Sequence, residues 1–239
     1  LSIVGREDRW AFLAPFAILA ASSSKNLTRP RSHQLVRERW RDQKHQYRSA
    51  AVVYVVVETG HYNLLVTFQP NRAGLAEKEV RERIDEMGWA VEDVRRSSVN
   101  GVFCVKVAGN AKEVVGTIRA ELKEHPEMLS HTYHWVPVDF WVDANDEDMI
   151  DAVNEAAEGI GEHESWMMHL HKRHNPRHSE DLVLTLTDRI QKGKVDLKRP
   201  QKIIAVEILG NRAAISLLER SEIIDLNRVR LEAGLTQLV

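Results

Sequence analysis

The sequence predicts an α/β (α+β) chain made of two successive α/β units, and three observations carry that expectation. After residue 61 short β-branched runs alternate with segments whose apolar residues recur every three to four positions. The turn chemistry between them is explicit, with Gly88, Gly101 and the Gly210-Asn211 pair standing where one periodicity gives way to the other. The chain has 239 residues, enough for one large or two small cores.

The elements follow in order. Residues 63–68 (NLLVTF) read as a strand. Residues 76–87 form an amphipathic helix with Val80, Ile84 and Met87 on one stripe, closed by Gly88. Residues 91–96 and 101–107 make a hairpin around the Ser97-to-Gly101 turn. Asn110 caps a second helix, with Glu113 in the capping-box position and Val114, Val115, Ile118 and Leu122 facing inward. Residues 133–142 complete the unit as a fourth strand. The order β-α-β-β-α-β is the ferredoxin-like plan: a four-stranded antiparallel sheet backed by two helices over residues 61–142.

A second unit spans residues 143–224. Asn145 caps a helix over 146–160, and Asp146, Glu147 and Asp148 occupy its first turn, where the helix dipole favours acids. Residues 165–171 alternate as a strand, and Ser179 is expected to cap a helix over 180–190 with Leu182, Val183, Leu186 and Ile190 inward. Strands over 203–209 and 213–218 close a hairpin at Gly210-Asn211. Residues 225–239 read as a weakly helical C-terminal tail.

Residues 1–60 differ from the rest. They hold an apolar patch (Trp10 to Ala21), a serine run and a basic stretch, with ten Lys or Arg against five acids, and no methionine precedes Met87. Their pattern supports no packed core, so a disordered or non-native extension is expected rather than a nucleic-acid-binding arm. The apolar patch is too short to span a bilayer, and no membrane partner is expected. The single Cys104, in the apolar run VFCVKV, excludes an internal disulfide and suits a reducing compartment; a cytoplasmic location is expected.

Charge is unevenly spread. Residues 139–164 hold ten acids and no Lys or Arg, whereas residues 168–212 hold ten Lys or Arg against five acids. One face therefore repels a phosphate backbone and another attracts it. Two basic runs stand out. Lys172, Arg173, His174, Arg177 and His178 precede the helix at Ser179, whose free N–H groups suit a phosphate. Lys192, Lys194, Lys198, Arg199 and Lys202 lie beside the strand IIAV, with Pro200 stiffening the turn. We read the two runs as walls of a phosphate cradle in preference to ordinary solvated loops. His169 and His171 share a strand face, but no cysteine or well-spaced carboxylate completes a zinc set, so no metal site is expected. Trp135, Trp141 and Trp166 read as core rather than as base-stacking platforms.

The second unit resembles a THUMP domain, the RNA-binding module of several tRNA-modifying proteins. The likeness runs through Lys172-Arg173, Ser179 at the helix start, Val195-Asp196-Leu197 with Pro200, Val206-Glu207-Ile208 and Ala214-Ile215-Ser216. THUMP modules commonly follow a ferredoxin-like domain, as here. Within the family the chain looks most like the free-standing proteins that assist tRNA cytidine N4-acetylation. That resemblance implies a partner pair: the acceptor end of tRNA and a separate tRNA cytidine acetyltransferase. The rival reading is the RNA-binding subunit of a split tRNA 4-thiouridine synthase. No Gly-rich phosphate loop or cofactor-binding turn appears, and no catalytic domain fits after Glu222. The expectation is therefore an accessory protein that is not an enzyme and holds no cofactor.

Overall fold

Residues 62–235 are described by the computed structural model, in which β1 (Leu64–Phe68) forms the middle of an open, antiparallel five-stranded sheet. The expected extension over residues 1–60 lies outside the described residues, as do the last four positions of the tail. All but one residue of β1 is buried, and Phe68 stacks on Phe103 with ring centroids 3.9 Å apart. A 3-10 turn at Pro70–Arg72 then feeds helix α1 (Ala73–Glu86). This helix starts three residues earlier than its apolar stripe suggests, because Pro70 is pre-set for a first helical turn and Ala73 and Ala76 are both buried. It stops as expected at Gly88, whose φ of 81° lets Trp89 N donate to Ile84 O at 3.1 Å.

Strands β2 (Val91–Arg96) and β3 (Val102–Val107) form the anticipated hairpin, and Asn110 caps α2 (Ala111–Glu124) through the N–H of Lys112. The next segment departs from expectation. Residues 133–142 are not one strand but two: β4 (Thr132–Pro137) pairs with β1, while β5 (Phe140–Asp143) belongs to a second sheet. The switch occupies two residues. Val138 N donates to Asn63 O of the first sheet at 2.9 Å, and Asp139 N donates to Ile215 O of the second at 3.1 Å. Apolar alternation runs through the switch without a break, so periodicity alone cannot show it.

The second sheet is also open, and mixed. Helix α3 (Asp146–Ala157) is capped by Asn145 as expected. Strand β6 (Ser165–Arg173) leads to helix α4 (Ser179–Thr187) and then to a two-residue strand, β7 (Lys194–Val195). Strands β8 (Lys202–Leu209) and β9 (Arg212–Glu219) form the expected hairpin through Gly210. β6 is parallel to both β8 and β7, and the order across the sheet is β5-β9-β8-β6-β7. Ser179 is a correction: it is the first helical residue, His178 holds the N-cap position, and no side chain caps this helix.

The expected tail is structural. Strand β10 (Ile224–Asp225) adds to the free edge of β4, giving the first sheet the order β10-β4-β1-β3-β2, and helix α5 (Leu226–Glu232) follows, capped by Asp225. Ile224, Leu226 and Val229 are buried in the same core as Val80, Ile118 and Trp135.

Alternation of side chains decides the layering. Leu64, Val66, Phe103 and Trp135 turn toward α1 and α2; Met168, Ile204, Val206 and Ile215 turn toward α3 and α4. The other faces of the two sheets meet in a shared core that includes Leu65, Cys104, Val136, Ala205, Ala214 and Leu218. Fully burying a Leu or Val here contributes roughly 1.5–3 kcal/mol, so each sheet covers apolar area that the other would leave wet.

Candidate nucleic-acid interface

The basic run at residues 192–202 is held rigidly on the exposed edge of the second sheet. Gly193 makes the turn: its φ is 65°, and a Cβ there would meet Glu164 O at 2.6 Å and Ile160 Cγ2 at 2.9 Å. Trp166 Nε1 donates to Lys192 O at 2.9 Å, and Lys194 N donates to Glu164 O at 2.9 Å. Asp196 then accepts from Lys198 N and Arg199 N at 2.9 and 3.0 Å, an Asx turn. Those two backbone bonds, from Arg199 first, hold the Asp196 carboxyl below the usual carboxylate range. Pro200 is buried, and Gln201 anchors the far end by donating from its backbone to Ser165 O at 2.8 Å while its side chain accepts from Ser165 N at 2.9 Å.

This frame presents Lys194, Lys198 and Arg199 to solvent, and none of their side chains has a carboxylate partner among the described residues. Val195 and Leu197 are exposed between them. Lys192 and Lys202 are less available. Lys192 Nζ contacts Glu158 Oε2 at 2.5 Å, and Lys202 Nζ contacts Glu219 Oε1 at 2.9 Å, a contact that raises the lysine pKa.

We expect Gly193→Ala to destabilise the fold by about 3 kcal/mol, through left-handed backbone strain and overlap with Glu164. Urea unfolding measures the loss, and amide exchange at Lys194 should rise with it. A variant as stable as wild type would show that the turn has room to relax.

The second basic run sits elsewhere. Residues 172–178 follow the C-terminal end of β6, whereas residue 202 pairs with Trp166 near its other end. Six strand steps, from Trp166 to Lys172, separate the nearer ends of the two runs, roughly 20 Å. That distance exceeds a Debye length of about 8 Å, so the two runs do not merge into one concentrated field. Arg173 Nη1 lies 3.3 Å from the buried Glu207 carboxylate, and Arg177 is paired with Asp146. Lys172 Nζ donates to Asn175 O at 3.2 Å, and His174 adopts a left-handed φ of 57°. Beside Ser179, Glu180 and Asp181 fill the first turn of α4 and oppose an incoming phosphate.

Sequence reasoning missed the polar half of the junction between the sheets. His169, His171, Arg173 and Glu207 face the first sheet, and His134 and Asp225 face them from it. His171 Nδ1 donates to Glu207 Oε1 at 2.9 Å; the His171 ring lies 4.4 Å from that of His169 and 5.6 Å from that of His134. His169 and His171 are thus half-buried junction residues. The available signal was Glu207 itself, a lone acid within an otherwise apolar strand. A cleft of about 470 Å³ opens here, lined by Tyr133, His134, His171, Arg173 and Asn227 among others. Among the described residues no three His, Cys, Asp or Glu side chains are placed to hold a metal ion, and no helix is long and apolar enough to cross a membrane.

No family model matches the sequence, and no curated protein matches it. Solved structures that align with part of the chain include PH1313 from Pyrococcus horikoshii Ot3 (17% identity, TM-score 0.48) and TrmN from Thermus thermophilus (19%, 0.46). A 4-thiouridine synthetase–RNA complex with bound ATP is a third (14%, 0.40). The alignments cover 69%, 70% and 69% of this chain but only 55%, 48% and 42% of those chains, so the present sequence spans about half the length of its structural neighbours. This corrects one expectation. The reading of a non-enzymatic accessory rested on there being no room for a catalytic domain, yet a neighbour such as the synthetase binds ATP and extends well beyond the region shared with this chain. Where the present sequence ends therefore has no bearing on catalysis.

Proposed function

We propose that residues 62–235 are the RNA-binding part of a tRNA-modifying system, made of a ferredoxin-like unit and a THUMP unit. It grips the acceptor end of tRNA and presents it to a catalytic unit lying outside the described residues. The observation that carries this reading is the rigid loop that holds Lys194, Lys198 and Arg199 free of carboxylate partners. An arginine and two lysines fixed in place lose little entropy on meeting a phosphate backbone, and the guanidinium can grip bidentately. Lys192 and Lys202 flank this grip and, being paired, act through the surrounding field more than by direct contact. Lys172, Arg173, His174, Arg177, His178 and Ser179 form a second basic patch at the far end of β6, where the same RNA can reach. Such a role places the protein with cytoplasmic tRNA.

Two modifications fit. Synthesis of 4-thiouridine is the activity of the neighbour solved with RNA and ATP. N4-acetylation of cytidine, with a tRNA cytidine acetyltransferase as partner, rests on the sequence resemblance. Mapping which modified nucleoside disappears from tRNA in a deletion strain separates them.

The binding test is charge reversal of Lys194, Lys198 and Arg199 to Glu together. We expect tRNA affinity to fall at least about tenfold at moderate salt, and the slope of log K against log salt to shrink by about two to three. Arg173 is the wrong residue for this purpose, because a glutamate there would face Glu207 and damage the fold. Unchanged affinity with an unchanged salt slope in the triple variant would overturn the interface.

A further inference from the structure

A second cationic feature lies beside the loop and belongs to neither basic run. Arg119 on α2, Arg220 in the 3-10 turn Arg220–Glu222 and Arg228 on α5 line one pocket of about 100 Å³. His169 and Asp225 also line it. Two of the three guanidinium groups share one carboxylate. Arg119 Nη2 lies 3.2 Å from Glu232 Oε2, and Arg228 Nε lies 3.1 Å from Glu232 Oε1. Arg220 has no acidic partner among the described residues; its Nη2 donates to Lys198 O at 3.2 Å. Burial first, then the charge of Arg228 and of Arg119, pushes the Arg220 pKa down, with Glu232 opposing. Asp225 is already engaged, accepting from Arg228 N at 3.2 Å as the cap of α5 and lying 3.7 Å from His134 Nε2.

Three guanidinium groups thus stand beside two carboxylates, one of them already engaged as a helix cap. An excess of cation is costly in a half-buried site, and a bound anion lowers that cost. The size narrows the anion. Sites for whole small molecules run to several hundred Å³, whereas about 100 Å³ has room for roughly three waters, or a group of similar bulk. Arginine forks match the paired oxygens of a phosphate. The position narrows it further, since the Arg220 guanidinium touches the backbone of Lys198 in the proposed grip.

We propose that Arg119, Arg220 and Arg228 form a site for a single phosphate group, supplied by the RNA strand that lies on the neighbouring loop. The source of the phosphate rests on the RNA-binding reading; the site itself does not. Arg119 is buried and its loss threatens the fold, so the test variant is Arg220→Gln with Arg228→Gln, checked by circular dichroism. The first arm titrates inorganic phosphate into the full chain at constant ionic strength. Phosphate stabilises most proteins slightly by exclusion from their surface, so the informative quantity is the difference between wild type and variant. We expect wild type to gain about 3 °C more in melting temperature than the variant; equal gains overturn the site. The second arm measures tRNA binding. A fall of about tenfold in the variant, with a salt slope smaller by about two, supports the RNA source. If the variant binds tRNA like wild type while charge reversal at Lys198 still weakens binding, the inference fails and the RNA-binding reading stands. If wild type takes phosphate but no tRNA, the RNA source and that reading fail together.

Discussion

Glu79→Ala is expected to destabilise the protein by about 3 kcal/mol, the loss arising where a helix meets a loop it does not adjoin in sequence. Glu79 lies on the inner side of α1 and is only 8% exposed. Its carboxylate accepts from Ser130 N at 2.6 Å, His131 N at 3.0 Å, Thr132 N at 2.9 Å and Thr132 Oγ1 at 2.7 Å. One charge thus gathers three successive backbone donors at the entry to β4, and Thr132 Oγ1 in turn accepts from Trp135 Nε1 at 3.0 Å. Alanine leaves the Thr132 N–H and hydroxyl buried without that acceptor, and the half-buried N–H groups before them unpaired. Glu79→Gln keeps one acceptor oxygen and should lose about half as much. Urea unfolding of both variants measures the effect, and two equal losses would mean that the carboxylate charge is what matters.

Glu207→Gln is expected to cost a comparable amount, about 3 kcal/mol, and to change the pH dependence as well. The buried Glu207 carboxylate meets both His171 and Arg173. The hydrogen bond from His171 to Glu207 raises the histidine above its ordinary value of 6.5. Its contribution to stability is therefore complete below pH 6.5 and fades as the pH climbs through the raised folded value. His134 and His169 are pushed below 6.5, chiefly by burial, with the nearby His171 adding to it. Their contribution is present above 6.5 and is lost as the pH falls toward their folded values. Asp225, Arg173 and Glu207 also face these rings, and Arg119, Arg220 and Arg228 line the pocket that His169 borders. Wild type should accordingly be most stable near pH 6.5 and lose stability on either side. In Glu207→Gln the alkaline decline should flatten, while the acid decline persists. Unfolding free energies from about pH 5 to about pH 8 test this; an alkaline limb that survives in the variant would remove His171–Glu207 as its cause.

Much of the architecture was legible because local signals agreed with the tertiary outcome. Asn110 and Asn145 cap helices that begin where their side chains say they should, and the hairpin at Gly210 needs a positive φ that glycine supplies freely. The stiffness of the loop around Pro200 was also readable, and Asp196 and Gln201 reinforce it. Three things were not. The single strand expected over residues 133–142 is two strands in two sheets, since alternation records which way side chains point and not which neighbour a backbone bonds. Residues 224–232 look weak as an isolated helix and are held by Ile224, Leu226 and Val229 in a core formed far away in sequence. Ser179 has a residue type that suits a cap, yet the helix begins one residue too early for it to act as one.

By itself the sequence determined the order and type of most elements, the Asn110 and Asn145 caps and the two concentrations of positive charge, because these depend on neighbours within a few residues. Only the tertiary structure decided which cations are free. Arg173, Arg177, Lys192 and Lys202 are matched to Glu207, Asp146, Glu158 and Glu219, partners 34, 31, 34 and 17 positions away. Lys194, Lys198 and Arg199 have no carboxylate partner among the described residues. Only the tertiary structure, too, drew Arg119, Arg220 and Arg228 from across more than a hundred positions into one pocket. The reason is physical: Coulomb energy and desolvation depend on distance in space, and sequence separation carries almost none of that information.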